Sequence, residues 1–461
     1  MQPSFHPTPT ILFPKLPPNI LVGIDLITLT SAPKFYGIRD LPTGWHLVYT
    51  GTTESLSLRC GAWFHVNDTG AASDDENSTA LVAAPNLTTQ PEIFIWKWNS
   101  DTESLTSLLN RNEDDRRESM QYKANLGAIR RMGGLFRYQS CVPPSMLAHK
   151  PDLTKPAPTP TKEDEEVEKI ARTEWLNLTS YISSSLLSRI IGSPEVNGDD
   201  HCRWLVTTAS SADRDSDHIP GLSIPTAGSG GSPWAVGELE RGLDFLPVDL
   251  KRTWREGAIG SERTEGAQDK SWALGDLIQR YSSSSSNGTA VDQRSGEVQL
   301  LGELQFTFLT VLTLMNYSCL QQWKRLLELI LTSREAIVTR EAFMSDVVSL
   351  LLRQLKRCGD VEGGIFDIDR DDGGQFVHNL LIRFKRLVDQ VLPDNTESKV
   401  KMEFAKLHAW VNEEYDWELT PAAIVKKGMV RLEDGEEVEL DLDDNDEYEE
   451  TGEYAPMIVE I

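Results

Sequence analysis

The sequence predicts an α+β multidomain protein with an N-terminal β-rich domain, a C-terminal all-α helical domain and an acidic C-terminal tail. Short aromatic and β-branched runs separated by turn residues dominate the first half of the chain. From about residue 243 the apolar residues recur at spacings of three and four, the period of a helix that packs on one face. The formal net charge is −26, from 71 acidic and 45 basic residues. Of the acidic residues, 13 lie between Glu433 and Glu453, where no basic residue occurs.

The N-terminal domain is predicted over residues 1–209 and contains several strands and one helix. The predicted strands are short, rich in aromatic or β-branched side chains, and bounded by turn residues; they are Ile20–Thr30, Trp45–Tyr49, Cys60–Phe64, Ile93–Trp98 and Arg203–Thr208. A helix is predicted from about Glu165 to Ser188, because apolar residues there fall at spacings of three and four. A flexible linker is predicted over residues 210–242, whose Ser, Gly, Pro and Asp bury too little apolar surface to offset ordering entropy.

The helical domain is predicted over residues 243–421 as a series of amphipathic helices. The predicted apolar faces lie in Trp272–Arg280, Leu304–Met315, Trp323–Ile330, Phe343–Leu351, Leu380–Val388 and Phe404–Val411. Helices with such faces can stack antiparallel and bury one another's apolar sides. Core packing is therefore the favoured interpretation of their aromatic residues.

The tail is predicted over residues 422–461 as a charged linker beyond Pro421 that ends in the apolar segment Ala455–Ile461. Repulsion between like charges should keep the acidic run extended. An extended apolar peptide can add a strand to an exposed sheet edge, where backbone hydrogen bonds give affinity and side-chain pockets give specificity. From the residues alone, strand addition, folding back onto its own domain and disorder are three open alternatives.

No catalytic motif emerges from the sequence, and an enzyme is not expected. A GxxxxGK[ST] phosphate loop and an HExxH metal motif are both absent. The five cysteines are far apart and never form a CxxC pair, which is typical of a reducing compartment and argues against a zinc site. A run from Asp367 resembles a calcium loop, but Asp372 stands where glycine is needed and His378 where a bidentate glutamate is needed. We therefore expect no cofactor and no metal.

Composition argues against nucleic acid and membrane as direct partners. The strong acidity would repel a polyphosphate, so no specific nucleic-acid binding is expected. No apolar run reaches the length that crosses a membrane. The polar, proline-rich stretch Met1–Pro9 does not resemble a secretory signal. These features leave interaction with other proteins as the expected activity.

A set of stretches spread along the chain carries a family resemblance. They are Gly23–Asp25, Lys34–His46, Gly61–Phe64, Trp175–Ile182, Asp269–Leu274, Leu301–Phe308, Asn316–Tyr317, Gln322–Leu329 and Asp416–Trp417. Together, in this order and spacing, they resemble the cistron-splicing factor family, whose members are assembly factors of the spliceosomal U5 snRNP. The polar insertions in this sequence are longer than the family pattern requires.

The resemblance implies a β-sandwich-like N-terminal domain, a VHS-like helical domain and no enzyme activity. It also implies binding to the large U5 snRNP scaffold protein, across its RNase H-like and Jab/MPN-type domains, within a U5 snRNP precursor particle. Such binding would block premature helicase and RNA binding during U5 and tri-snRNP biogenesis, with release through phosphorylation. A cytoplasmic and nuclear location follows from the same resemblance.

The end of the chain looks like the tail with which the family is thought to bridge the two scaffold domains. The implied scaffold-binding residues are Pro456, Met457, Ile458, Val459, Glu460 and Ile461. In an added strand Met457 and Val459 would face one side, and Ile458 and Glu460 the other. The alternative function is a VHS-like peptide-binding adaptor in membrane trafficking.

Overall fold

The structure is a computed structural model that describes most of the chain. The described residues are 8–52, 58–67, 92–108, 113–143, 161–197, 201–216, 242–284, 291–358, 373–392, 397–419, 427–431 and 437–441. Contacts divide the chain into two compact units, Met1–Trp410 and Val411–Ile461, which are described separately. Among the described residues no helix is long and apolar enough to cross a membrane.

Two β-sheets form the N-terminal part of the larger unit. Their strands are β1 (Thr10–Leu12), β2 (Leu21–Ile24), β3 (Ile27–Thr30), β4 (Gly37–Arg39), β5 (Gly44–Gly51), β6 (Arg59–Val66), β7 (Ile93–Asn99), β8 (Ser104–Ser107), β9 (Leu135–Arg137), β10 (Glu195–Val196) and β11 (Cys202–Thr207). The smaller sheet has the order β8-β7-β1-β4-β9, and the larger sheet β10-β11-β6-β5-β2-β3. Neighbours are antiparallel except β1–β7 and β4–β9, which are parallel.

The two sheets pack face to face, because each strand directs alternate side chains into a shared core. Phe64 and Val66 of β6 and Val22 of β2 enter that core from the larger sheet, and Phe94 and Trp96 of β7 enter it from the smaller one. The Phe64 ring contacts the Phe94 and Trp96 rings at centroid distances of 4.9 and 5.1 Å. The predicted N-terminal β domain is confirmed, and its aromatic runs form the interior strands β5, β6 and β7.

Helix α1 (Glu113–Arg131) packs on the smaller sheet, and the sequence pattern does not predict it. It buries Leu126 and Ile129 in a second small core that also contains Ile95 of β7. Its first turn is acidic and its last turn basic, which complements the helix dipole. So few buried apolar residues in a helix this long give too sparse a pattern for the helical period to be recognised.

The helix predicted over Glu165–Ser188 is instead two helices, α2 (Lys162–Leu178) and α3 (Ser184–Ile190). Ser183 begins the second, because its hydroxyl accepts a hydrogen bond from the backbone N–H of Leu186. The apolar spacing continues across the break, so periodicity alone does not show it.

The predicted C-terminal helical region is also confirmed. Its helices and the short helix before it are α4 (Asp213–Ser216), α5 (Ser261–Gln268), α6 (Ser271–Arg280), α7 (Gln293–Leu314), α8 (Tyr317–Leu331), α9 (Ala336–Thr339), α10 (Glu341–Leu355), α11 (Gly373–Val391) and α12 (Lys399–Tyr415). The short strands β12 (Ser283–Ser284) and β13 (Val291–Asp292) pair just before α7. The limits predicted for the individual domains and the linker, like the VHS-like comparison, stay predictions.

Helix α7 lies at the centre of the larger unit and is buried on every side from Leu300 to Leu314. The predicted single apolar face therefore understates its burial. Gly302 allows α3 and the turn before it to approach, since a Cβ there would lie 2.7 Å from the Tyr181 carbonyl oxygen and 2.8 Å from the Leu186 side chain.

In the smaller unit, β14 (Lys427–Arg431) and β15 (Glu437–Asp441) form an antiparallel hairpin. The prediction of a charged linker beyond Pro421 is therefore wrong over these residues. The register places Lys427 opposite Asp441 and Arg431 opposite Glu437, so basic and acidic positions face each other at both ends. The part of the acidic run from Glu437 to Asp441 is thus one strand of a hairpin.

Candidate functional site

The described residues contain no cluster with the character of a metal centre. No cluster of three or more His, Cys, Asp or Glu side chains within them could hold a metal ion. The five cysteines are free thiols. His201, next to Cys202, packs its ring against Phe94 at a centroid distance of 4.5 Å, with Nε2 3.9 Å from Glu92. This arrangement is ordinary packing at a sheet edge.

Several of the stretches that carry the family resemblance meet where the larger sheet packs on α2 and α7. We call this interface the seam. Its centre is Trp63 of β6, whose side chain is fully buried. The Trp63 ring stacks on Trp175 of α2 at a centroid distance of 6.3 Å and lies 6.2 Å from Phe306 of α7. Trp175 in turn donates its Nε1–H to the Trp45 carbonyl oxygen at 2.8 Å. Aromatic rings from three distant stretches thus join the sheet to the helices.

Gln305, which is fully buried, fixes the turn between α2 and α3. Its Oε1 accepts a hydrogen bond from the Tyr181 backbone N–H at 2.8 Å, and its Nε2 donates to the Asn177 carbonyl oxygen at 2.9 Å. Backbone groups at the end of a helix and in the turn that follows it lack partners within the helix and need them from elsewhere. A buried glutamine therefore satisfies both in a single side chain.

Glu303 joins three separate segments from the other side of α7. Its Oε2 lies 2.7 Å from Arg189 Nη2, and its Oε1 accepts hydrogen bonds from Gln322 Nε2 at 2.8 Å and from the Leu246 backbone N–H at 3.0 Å. Burial raises the pKa of Glu303, while Arg189 and Gln322 act in the opposite direction. A buried carboxylate with this many donors is a structural anchor.

Side chains of the β domain donate hydrogen bonds to the last carbonyl oxygens of α7. Arg59 donates from Nη1 to the Thr313 carbonyl oxygen at 2.7 Å, and Thr208 donates from its hydroxyl to the Leu314 carbonyl oxygen at 2.8 Å. A guanidinium at this position also complements the negative end of the helix dipole. Asn316 then begins α8 by accepting a hydrogen bond from the Cys319 backbone N–H at 2.8 Å, while its amide donates to the Ser210 carbonyl oxygen at 2.7 Å.

A second buried network lies within the β domain, where Asp25 and His46 bring two of the resembling stretches together. Asp25 Oδ2 lies 2.8 Å from His46 Nδ1 and accepts the Tyr138 hydroxyl at 2.6 Å. His46 Nε2 donates to the Pro42 carbonyl oxygen at 2.8 Å, since a carbonyl can only accept. Burial of the ring opposes its charge, but the Asp25 carboxylate and these hydrogen bonds raise the pKa of His46 above its usual value.

Raising the pH is expected to destabilise the larger unit through His46. The stabilisation from the imidazolium is complete below about pH 6.5, the usual pKa in an unfolded chain, and is lost as pH rises through the higher folded-state pKa. Urea unfolding from about pH 5.5 to about pH 8.5 should therefore show the free-energy advantage of the natural protein over His46→Gln shrinking with pH. An advantage that stays constant over this range would contradict a charged His46.

The seam residues and the Asp25–His46 pair are buried, so they stabilise the fold. Binding to another molecule must use other residues. Arg59, Arg189 and Thr208 are parts of this arrangement that sequence reasoning missed. Arg59 and Thr313 are 254 positions apart, and no local sequence pattern predicts a contact over that distance. Any binding surface of the larger unit is therefore expected among its exposed residues.

The predicted scaffold-binding residues lie outside the described residues. They are Pro456, Met457, Ile458, Val459, Glu460 and Ile461. The nearest described element is β15, which ends at Asp441. The structure therefore neither brings these residues together nor separates them, and their role stays a prediction.

Comparison with known proteins gives matches along most of the chain. A family model described as the AAR2 N-terminal domain matches residues 7–192, and one described as the AAR2 C-terminal repeat region matches residues 245–420. The chain is 21% identical over 428 residues to a "Protein AAR2 homolog" of Macaca fascicularis, covering 89% of each chain. It is 20% identical over 422 residues to that of Homo sapiens, again covering 89% of each. A rabbit (Oryctolagus cuniculus) relative of the same name is 28% identical over 207 residues, covering 42% of this chain and 54% of its own.

Proposed function

Because the chain belongs to the AAR2 family of splicing-related assembly factors, we propose that it binds the large U5 snRNP scaffold protein as a non-enzymatic assembly factor. Binding would hold the U5 snRNP precursor particle and block premature helicase and RNA binding to the scaffold. The protein would act in both cytoplasm and nucleus, with phosphorylation as the signal for release.

The observation that supports this proposal best is the position of the resembling stretches in three dimensions. Residues of four stretches quoted from the sequence, Trp63, Trp175, Phe306 and Asn316, lie in the seam or at the helix end next to it. Short stretches that are far apart in the sequence support a family assignment more strongly when their residues meet in one buried interface. The β domain and the helical region of the larger unit would then present their surfaces to the scaffold in a fixed arrangement.

The tail would supply the second element of binding by strand addition to the scaffold's sheet edges. Its composition suits this role, because an apolar β-branched segment follows an acidic run whose charges beyond β15 should repel one another and extend the chain. The acidic run would also compete with RNA for basic surfaces of the scaffold. That competition predicts steep salt dependence of scaffold binding.

Deleting Ala455–Ile461 is expected to weaken scaffold binding by about a hundredfold, because about three ladder hydrogen bonds at about 1 kcal/mol each would be lost. Calorimetric titration of the full chain and the truncated chain with the purified scaffold domains measures this effect. Ile458→Pro should weaken binding in the same direction, since proline removes a ladder donor. Ile458→Val is the matched control, because it keeps the donor and the β-branched side chain.

Unchanged affinity of the truncated chain would remove the tail from the proposal while leaving scaffold binding intact. Affinity purification of the tagged full chain tests scaffold binding itself and should recover U5 snRNP components. Recovery dominated by membrane-trafficking cargo, with no U5 component, would overturn the proposal in favour of a VHS-like adaptor.

A further inference from the structure

We propose that the helical region carries a binding site for an acidic peptide with a large apolar side chain next to its carboxylates. The site consists of two adjoining cavities on either side of Trp272 in α6. It lies in the larger unit, involves neither the tail nor the seam, and goes beyond the function proposed above.

The first cavity, called the aromatic cavity, has a volume of about 360 Å³. Much of its wall is apolar and is formed by Pro247, Val248, Trp254, Trp272, Leu277 and Leu329. Both indole side chains are half-buried and line the cavity, so part of each can contact an incoming group. The volume suits a large apolar side chain, and tryptophan is a residue type that dominates binding energy at protein interfaces.

The second cavity, called the anion cavity, has a volume of about 270 Å³ and is lined mostly by hydrogen-bond donors. Arg255, Ser271, Gln279, Gln293 and Arg340 surround it, together with Trp272 and with Asp276, whose carboxylate pairs with Arg280. Gly275 leaves its floor open, since even a Cβ there would come no closer than 4.0 Å to the guanidinium of Arg340. Arginine binds a carboxylate through two parallel hydrogen bonds, so the donor set matches an anion.

Four arginines line the two cavities together with the carboxylates of Asp249, Glu256 and Asp276, and one of these arginines has no partner among the described residues. Arg280 pairs with Asp276, and Arg252 lies 3.7 Å from Glu256. Arg340 is held by Glu297 at 3.0 Å, and its side chain is 18% exposed. Arg255 is exposed, and within the described part of the chain its side chain makes no hydrogen bond or ion pair. The guanidinium of Arg255 is therefore available to an incoming carboxylate.

The loop that carries Arg255 is shaped by two glycines with left-handed backbone, Gly257 at φ 85° and Gly260 at φ 52°. Between them Ala258 is buried, while Ile259 is 75% exposed at the loop tip. The loop thus combines a basic run around Trp254 with an exposed apolar residue, in a chain whose formal net charge is −26. This composition is enriched in the residue types that form interface cores.

Charge and size favour a peptide over nucleic acid. Non-specific RNA binding relies on many phosphate contacts at once, whereas here one guanidinium is free and another is shared. A single carboxylate in the anion cavity and one bulky apolar group in the aromatic cavity would satisfy both parts of the site. Acidic residues flanking an aromatic residue supply that pair.

The test uses the full chain and a fluorescein-labelled peptide of sequence Glu-Glu-Trp-Glu-Glu, with binding followed by fluorescence anisotropy. Arg255→Gln is expected to weaken binding by about tenfold, the effect of losing one charge-assisted contact. The peptides Gln-Gln-Trp-Gln-Gln and Glu-Glu-Ala-Glu-Glu should each bind at least about tenfold more weakly, because each lacks one of the two groups. Arg117→Gln is the matched control, since Arg117 is an exposed arginine on α1 whose side chain is 77% exposed.

Arg255 is exposed, so its substitution should leave the thermal unfolding midpoint unchanged and keep the binding result interpretable. Equal affinity of Arg255→Gln and the natural protein, or equal binding of the glutamine peptide, would overturn the proposal. A phosphotyrosine peptide that binds more than about tenfold tighter than the glutamate peptide would overturn the assignment to carboxylates. Displacement of the peptide by a short oligouridylate would overturn the choice of a peptide ligand. No splicing component is present, so this test is independent of the one for U5 scaffold binding.

Discussion

Replacing Trp63 by alanine is expected to lower the free energy of unfolding by about 3–5 kcal/mol, the range for a large aromatic residue lost from a core. Trp63 is fully buried between Trp175 and Phe306, so the cavity would open in the middle of the seam. Urea unfolding followed by tryptophan fluorescence and far-ultraviolet circular dichroism measures the loss. Because the seam joins the sheets to the helices, the two signals should also separate in the variant while coinciding in the natural protein.

Trp63→Phe is the matched control for this prediction. Within the described residues the Nε1–H of Trp63 has no hydrogen-bond partner, so phenylalanine removes a buried donor whose loss costs little. The expected loss is therefore about 1–2 kcal/mol, from reduced volume alone. A phenylalanine variant as unstable as the alanine variant would show that Trp63 needs its indole nitrogen, in contradiction to the packing described above.

The sequence predicted the strands and helices whose two faces have different surroundings. Strand β5 alternates between the sandwich core and the helices, and its aromatic residues gave a readable period of two. Helix α8 carries Trp323, Leu326, Leu327 and Ile330 on one buried face, at the spacing from which it was predicted. Patterning of this kind records that the two faces of an element have different surroundings, and that information is local.

Elements with unusual surroundings could not be predicted in the same way. Helix α1 buries few apolar residues and was missed, while α7 is buried all round and was predicted only from Leu304 onward, as a helix with one apolar face. The break between α2 and α3 depends on one serine hydroxyl, a signal that a continuous apolar spacing conceals. The hairpin of β14 and β15 lies in a stretch where high charge indicated a linker. In each case a tertiary contact or a short polar signal outweighed the average pattern.

The candidate sites also differ in whether they depend on local sequence or on contacts between distant residues. The tail could be proposed from sequence because its composition is local, but no sequence pattern gives the seam, whose contacts join positions more than a hundred residues apart. Only part of the anion cavity could be predicted from the sequence. The basic run around Trp254 is visible in the sequence, whereas the arrival of Arg340 from 85 positions beyond Arg255 requires the fold. Motifs can therefore identify a family before they explain what their residues do.

Replacing Glu303 by alanine is the second large effect expected on stability. Glu303 accepts hydrogen bonds from Arg189, Gln322 and the Leu246 backbone N–H, so alanine leaves three buried donors short of an acceptor. Removing one partner of a buried ion pair typically costs about 3–5 kcal/mol. We expect the lower end, about 3 kcal/mol, because the Arg189 side chain is 17% exposed and can reach water in the variant. Urea unfolding of the full chain measures the change.

Glu303→Gln and Glu403→Ala separate the causes of that loss. Glutamine keeps the volume and one acceptor but turns an amide N–H₂ towards a donor, so its cost should fall between that of alanine and zero. Glu403 pairs with Lys406 on the surface of α12, where the Lys406 side chain is 55% exposed, and its replacement should change stability by less than about 0.5 kcal/mol. Equal losses for Glu303→Ala and Glu403→Ala would contradict the role of Glu303 as a buried anchor. A Glu303→Gln variant as stable as the natural protein would show instead that hydrogen bonding without charge holds α3, α7 and α8 together.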